Sequence, residues 1–320
     1  MCADRAIAPN GTTERLTGPP HYDPAALGSD VPRSARQYLA RKAAAFLVTA
    51  FRLNRSGFWS TEFVQQIYPT YTIPTKVGGL RCKCGHGRLR WRAETFYSEE
   101  PETVAWLDSI GPDGFLWDVG ANVGLYSLYA AKVAKARVLA IEPEAQNFAI
   151  LLENIVLNDL QHAIEATNLA ISDRFGLGRL FVHAMTKGGA YNTFAARTAD
   201  RDGPEAGAGV VTQVQVGTSL DDLVMTFGFD APTHIKIDVD GNEPAIIRGA
   251  TRVLSNERCR NVLVEIQRNA PDHVAAVAQL EALGYTRVSE RSNWESRASR
   301  ELRARAEAEH PAVNMIFTRA

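Results

Sequence analysis

The sequence predicts an α/β protein in which a doubly wound, mostly parallel sheet follows an α-rich N-terminal extension. Three observations carry that prediction. From Phe115 onward, short apolar runs alternate with amphipathic stretches at helical spacing, as in a parallel sheet covered on both faces. The first run ends in a glycine-rich turn and the second in an acid, Glu142. Finally, 320 residues with 45% hydrophobic and 22% charged side chains are enough to bury such a core unaided. This composition excludes collagen-like, coiled-coil and wholly disordered chains.

Charge and cysteine usage narrow the classes further. Thirty-five Lys and Arg against 36 Asp and Glu leave a formal net charge of −1, which argues against a general nucleic-acid coat. Four cysteines are too few for a disulfide scaffold and suit a reducing compartment. The N-terminus lacks the basic start and apolar core of a signal peptide. The longest apolar run, Ala43 to Phe51, is about half of what a bilayer requires. A soluble, cytoplasmic protein is expected.

Taken in order, residues 1–32 are rich in Pro, Gly and Asp without periodicity and are expected to be disordered. Residues 33–94 form a basic extension. Twelve Lys and Arg lie between Arg33 and Arg92 against one acid, Glu62. Within it, Leu39, Ala43, Phe46, Leu47, Ala50 and Phe51 recur at helical spacing, predicting a helix over about 34–54. That helix would suit peripheral contact with an anionic membrane or an acidic partner; it would equally serve as a solvated helix packed on the main domain. The run from Lys76 to Tyr97 reads as a hairpin with Gly85 and Gly87 at its turn. Cys82, Cys84 and His86 would be about 7 Å apart per step on a strand, too far for a single zinc with ~2.3 Å bonds.

Residues 95–320 carry the regular pattern. Strands are predicted at Phe115–Val119, Val138–Glu142, Ile164–Ile171, His234–Val239 and Asn261–Ile266, and helices at Val123–Ala136, Ala145–Leu157 and Pro244–Leu254. Ligands of such sheets bind at the carboxyl ends of the strands. The turn Asp118-Val-Gly-Ala-Asn-Val-Gly124 lies at such an end. Gly120 and Gly124 let the backbone approach a ligand, Asn122 would cap the following helix, and Glu142 would accept hydrogen bonds from both hydroxyls of a ribose. The set specifies an adenosine-type ligand. A dinucleotide fingerprint places its second glycine, which clears the pyrophosphate, where this chain has Asn122. Phosphate-free S-adenosylmethionine therefore fits better than a nicotinamide dinucleotide, and Asp118 suits its cationic amino-acid end. Downstream, Lys236, Asp238 and Asp240 alternate with apolar residues and so share one face of a strand end, with Glu265 near the same rim. The plain alternative is a structural Lys236–Asp238 ion pair. Ser219 and Asp222 form a capping box.

Together these segments resemble the FkbM family of S-adenosylmethionine-dependent methyltransferases. The match runs from Glu99-Glu-Pro-Glu-Thr103 through Trp117–Gly124, Ile141-Glu-Pro143, Asn168–Asp173 and Ser219–Asp222 to Lys236–Glu243 and Val264-Glu265. The resemblance implies a Rossmann-like class I methyltransferase domain over 95–320, with a seven-stranded, mostly parallel sheet ending in an antiparallel strand. Gly284–Val288 and Asn314–Phe317 would be its last two strands, separated by a charged insertion at 293–310. It further implies that Glu142 holds the ribose, that Ile171 and Ser172 line the adenine, and that Asp118, Gly120, Asn122 and Gly124 wrap the methionine end. The family's acidic segment usually reads K-I-D-V-E-G-A-E; here Asp240 replaces Glu and Asn242 replaces Ala, at positions facing the acceptor.

The expected reaction is O-methylation of a hydroxyl on a sugar, a glycan precursor or a secondary metabolite, with a small-molecule or glycan acceptor and no nucleic acid. Asp240 and Asp238 are the candidate general bases, with Lys236 setting the local potential. Tyr191 and Asn192, on a loop spanning His183–Gly209, are expected to close over the acceptor, with Asn242 and Glu243 as further contacts. No metal is expected; the alternative is a divalent ion on Asp238 and Glu265. Two rival readings are a nicotinamide-dependent oxidoreductase and a non-catalytic membrane-surface adaptor using the basic helix.

Overall fold

The computed structural model describes residues 39, 42–43, 45–47, 49, 68–85, 87–182, 192–195, 210–292 and 312–319. Contacts divide the chain into two units, residues 1–67 and 68–320. In the first unit, the described residues between 39 and 49 are helical, where the apolar spacing predicts a helix.

The second unit opens on an antiparallel hairpin, β1 (Thr70–Thr75) and β2 (Gly78–Lys83). Its turn lies at Lys76–Val77, closed by Gly78 at φ 105°, and not at Gly85 and Gly87. The stretch expected to hold the second strand instead forms helix α1 (Gly87–Glu94). Leu89 and Ala93, four residues apart, are its buried face, and Arg90 pairs with Glu94 on the outside. The arginines conceal this spacing in the sequence. Helices α2 (Phe96–Glu99) and α3 (Pro101–Asp108) follow.

The main sheet then begins. Strand β3 (Phe115–Val119) leads into α4 (Leu125–Tyr129), which continues as a π turn over Ala130–Ala134. Next come β4 (Arg137–Ile141) and α5 (Ala145–Leu157), whose first turn is capped by the Glu144 carboxylate accepting from the Gln146 and Asn147 N–H groups. The predicted strand Ile164–Ile171 is two strands, β5 (Ile164–Thr167) and β6 (Ala170–Ile171), in different sheets. Between them the Asn168 side chain donates to the Glu142 and Pro143 carbonyls and turns the chain out of the main sheet. Strands β7 (Gly176–Val182), β8 (Thr193–Ala195) and β9 (Val211–Thr218) complete a small sheet of order β6-β9-β7-β8.

Helix α6 (Leu220–Met225) starts at the predicted Ser219–Asp222 capping box and leads to β10 (His234–Ile237). The predicted helix Pro244–Leu254 is broken into α7 (Glu243–Arg248) and α8 (Thr251–Ser255). At the break, a Cβ on Gly249 would lie 2.5 Å from the Ser172 carbonyl oxygen, so the chain passes there only as glycine. Strand β11 (Asn261–Gln267), α9 (Pro271–Ala282), β12 (Thr286–Ser292) and β13 (Ala312–Thr318) close the fold.

Among the described residues the main sheet has seven strands in the order β12-β13-β11-β10-β3-β4-β5. Strands β11, β10, β3, β4 and β5 are parallel, and β13 is antiparallel to both neighbours. The order reverses between β3 and β10, where open α/β sheets form their binding crevice. Alternate residues feed two cores. Leu116, Val138 and Ala140 face one, which also takes in Ile73, Leu80 and Leu89 of the hairpin and α1. Trp117, Leu139, Ile141 and Ile235 face the other. Residues 68–94, read from the sequence as part of the extension, thus share the sheet's own core. No helix of the described residues is long and apolar enough to cross a membrane.

Candidate functional site

The crevice is built on the turn after β3. Gly120, Asn122 and Gly124 have φ values of 84°, 53° and 87°, a left-handed series that glycine adopts freely and asparagine tolerates. The Gly120 and Ala121 N–H groups both donate to the Ile141 carbonyl at 3.0 Å, folding the turn onto the end of β4. A Cβ on Gly120 would lie 1.9 Å from the Asp238 carbonyl oxygen, so the ends of β3 and β10 meet at this one residue. Asn122 is not the N-cap expected of it. Its Oδ1 accepts from the adjacent Val123 N–H, and the helix starts after Gly124.

Two cavities meet at Gly120. The larger, about 770 Å³, is lined by Trp91, Glu100, Tyr126, Lys236, Asp238 and Asp240 among others. The smaller, about 320 Å³, has apolar walls from Pro143, Leu169, Ile171 and Phe194, with the amides of Asn192 and Asn242 between them.

Charge is concentrated in the larger cavity. Lys236 is 1% exposed, and its Nζ lies 2.8 Å from Asp238 Oδ2. In the sheet register Lys236 is the direct neighbour of Asp118. Burial opposes both members of the Lys236–Asp238 pair, yet their attraction prevails and holds the amine up and the Asp238 carboxyl down. The carboxyls around them behave oppositely. Burial raises Asp118, although Lys236 and Ser127 pull against it. Burial, then repulsion from Asp238, raises Glu100, whose Oε2 accepts from Thr103 Oγ1 at 3.0 Å. Burial pushes Glu265 well up, reinforced by Asp238 and Glu243. The lining itself carries four carboxyls, Glu99, Glu100, Asp238 and Asp240, beside Arg92 and Lys236.

Of the residues expected to bind the cofactor, Gly120 and Asn122 line the larger cavity, and Gly120 and Ile171 the smaller. Asp118 lies beneath the turn, buried, with Oδ2 accepting from Ser127 Oγ and Oδ1 without a partner. Glu142 is also beneath it: its oxygens accept from the Asn122 N–H at 2.7 Å and the Glu144 N–H at 2.9 Å. Burial pushes its carboxyl up to about 7, against those two donors. Gly124 serves packing, since a Cβ there would meet Leu151 at 2.3 Å. Ser172 is buried and bonded through its N–H to Thr218, and it lines neither cavity.

Lys236, Asp238 and Asp240 share the larger cavity, and the ion pair offered as the structural alternative is present. Asn192 and Asn242, expected at the acceptor, instead line the smaller cavity beside Ile171. Strand β8 pairs with β7 and carries Asn192 there, and Asn242 Nδ2 donates to the Ile171 carbonyl at 2.9 Å. Glu243 lines neither cavity. Its carboxylate accepts from the Val239 and Gly241 N–H groups, binding the loop instead of an acceptor, and burial pushes it up to about 7. Tyr191 lies outside the described residues. Among those residues no cluster of three or more His, Cys, Asp or Glu is placed to hold a metal ion.

Sequence reasoning missed the wall built by Trp91, Arg92, Thr95, Phe96, Glu100 and Tyr126.

The methyltransferase FkbM domain family matches this chain over residues 118–287. Among curated proteins, the methyltransferase sdnD of Sordaria araneosa is 26% identical over 56% of this chain and 76% of its own length. The hexuronic acid methyltransferase AglP of Haloferax volcanii is 27% identical over 55% of this chain and 65% of its own. The 31-O-demethyl-FK506 methyltransferase FkbM of Streptomyces tacrolimicus is 27% identical over 56% and 75%.

Proposed function

This chain belongs to the FkbM methyltransferase family and is an S-adenosylmethionine-dependent methyltransferase; from that premise we propose that it methylates a hydroxyl of a sugar, a glycan precursor or a secondary metabolite. Family membership sets aside both the nicotinamide-dependent oxidoreductase and the non-catalytic adaptor. The observation that carries the proposal is the pair of unlike cavities joined at Gly120, one acidic and one apolar with amides.

The residues present fit the cofactor. The orphaned Asp118 Oδ1 would accept from an ammonium group. The apolar cavity suits a purine. Glu142, held by the Asn122 and Glu144 N–H groups at the end of β4, would hold the ribose. When bound, S-adenosylmethionine supplies an electrophilic methyl group on a sulfonium.

The larger cavity then has two tasks, to orient the acceptor and to accept a proton. Lys236 neutralises Asp238 and holds it rigidly, which makes Asp238 a poor base and a good positioning group. Asp240, held at φ 59° on the same wall, is the carboxylate assigned to take the acceptor's hydroxyl proton. Trp91 lines this cavity as well. Of the relatives, one is named for a hexuronic acid and another for an O-demethyl acceptor, and both names accord with a hydroxyl acceptor.

The test pairs Asp240→Asn with calorimetry. Turnover on a responsive acceptor should fall about 10²–10⁴-fold, while affinity for S-adenosylhomocysteine stays within about two-fold. Unchanged turnover would remove Asp240 as the base.

A further inference from the structure

We propose that Asn192 reads the adenine of the cofactor, its side-chain oxygen accepting from the 6-amino group and its side-chain nitrogen donating to a ring nitrogen. This rests on the reading of the smaller cavity as the purine site. It reassigns to the donor side a residue that the sequence placed at the acceptor.

Three observations converge on it. First, Asn192 Oδ1 is buried and has no hydrogen-bond partner. A buried acceptor without a donor is costly, and a ligand that supplies the donor recovers that cost. Second, the other side-chain amide of this cavity, Asn242, has its Nδ2 engaged by the Ile171 carbonyl. Asn192 presents a buried, uncommitted oxygen against walls of Pro143, Leu169, Ile171 and Phe194. An apolar slot with one orphaned amide oxygen matches a flat base bearing an exocyclic amine. The side-chain amide of asparagine matches adenine in particular, pairing with the N6 donor and the neighbouring ring acceptor.

Third, the fold holds Asn192 in place through its neighbour Phe194. That ring lies over two glycines on adjacent strands. A Cβ on Gly178 would come within 2.4 Å of it, and one on Gly217 within 2.7 Å. Phe194 is 8% exposed and packs with Ala170, Leu180 and Val182. Pairing of Phe194 with Leu180 and of Thr193 with Phe181 fixes the register of β8, and with it the position of Asn192. The small sheet, inserted between β5 and α6, so builds the outer wall of the base pocket.

The experiment is a double-mutant cycle read by calorimetry on the full chain. The ligands are S-adenosylhomocysteine and its analogue lacking the 6-amino group. Wild type should bind the analogue about ten-fold more weakly. Asn192→Leu should bind S-adenosylhomocysteine about ten-fold more weakly than wild type and show no further loss with the analogue. Asn192→Asp, which keeps the acceptor, should retain a preference for the amine. An equal penalty for losing the amine in wild type and in Asn192→Leu would overturn the assignment, as would no penalty in wild type, a measurement that needs no variant. Failure of wild type to bind S-adenosylhomocysteine at all would instead overturn the purine-site reading beneath it.

Discussion

Lys236 organises the charges of the site. It lies between Asp238, its ion-pair partner, and Asp118, its cross-strand neighbour. Removing one partner of a buried pair leaves the other charge uncompensated. Lys236→Met should therefore lower unfolding free energy by about 3–5 kcal/mol, measured by urea titration. The double variant Lys236→Met/Asp238→Asn should recover part of that loss; no recovery would mean that the lysine acts through packing alone. Glu142 makes a second residue-scale prediction. Its carboxyl is pushed up to about 7 by burial, and an ionised carboxylate accepts stronger hydrogen bonds than a neutral acid. Affinity for S-adenosylhomocysteine should rise between pH 6 and pH 8, and Glu142→Gln should bind with a flatter pH profile. The alternation of a strand is enough to put Lys236 and Asp238 on one face. That Asp118 joins them depends on the β3–β10 register, which no local pattern encodes.

At the scale of elements, the parallel strands and α5 were legible because each is a run of one period bounded by turn residues. Four features were not. The hairpin β1–β2 alternates within a stretch rich in Thr and Tyr, and α1 hides two buried residues among four charged ones. Strand β6 continues β5 in sequence but leaves its sheet, because Asn168 satisfies the Glu142 and Pro143 carbonyls. Helices α7 and α8 are divided by a glycine whose neighbour, the Ser172 carbonyl, comes from a distant segment. The same reasoning makes the glycines of the crevice testable. Gly120→Ala imposes a side chain on a left-handed residue 1.9 Å from the Asp238 carbonyl. It should separate β3 from β10 and abolish binding of S-adenosylhomocysteine by calorimetry. Gly217→Ala intrudes only on the Phe194 ring. It should weaken that binding while leaving the urea midpoint closer to wild type than Gly120→Ala does.

For the whole molecule, the net charge of −1 hides a folded state whose buried groups hold protons differently from the unfolded chain. Glu142 and Glu243 are pushed from an ordinary 4.5 up to about 7 by burial. Between those values the folded state keeps protons that the unfolded chain has lost, so stability falls as pH rises through the window. His234 has the opposite sign. Burial lowers it from 6.5 to about 4, so the unfolded chain takes up a proton that the folded state refuses, and stability falls as pH drops from 6.5 toward 4. The two effects oppose each other between 4.5 and 6.5, and above 6.5 the carboxyls act without that opposition. Two carboxyls outweigh one histidine, so the urea midpoint should fall between pH 5 and pH 7 and level off toward pH 8. Glu243→Gln should reduce that fall. His234→Asn should expose a steeper loss with rising pH in the lower window, because the opposing histidine is gone. An undiminished fall in Glu243→Gln would mean that the proton is held by Glu142 or another buried carboxyl. That outcome would move the pH sensitivity from the loop after β10 to the turn after β3.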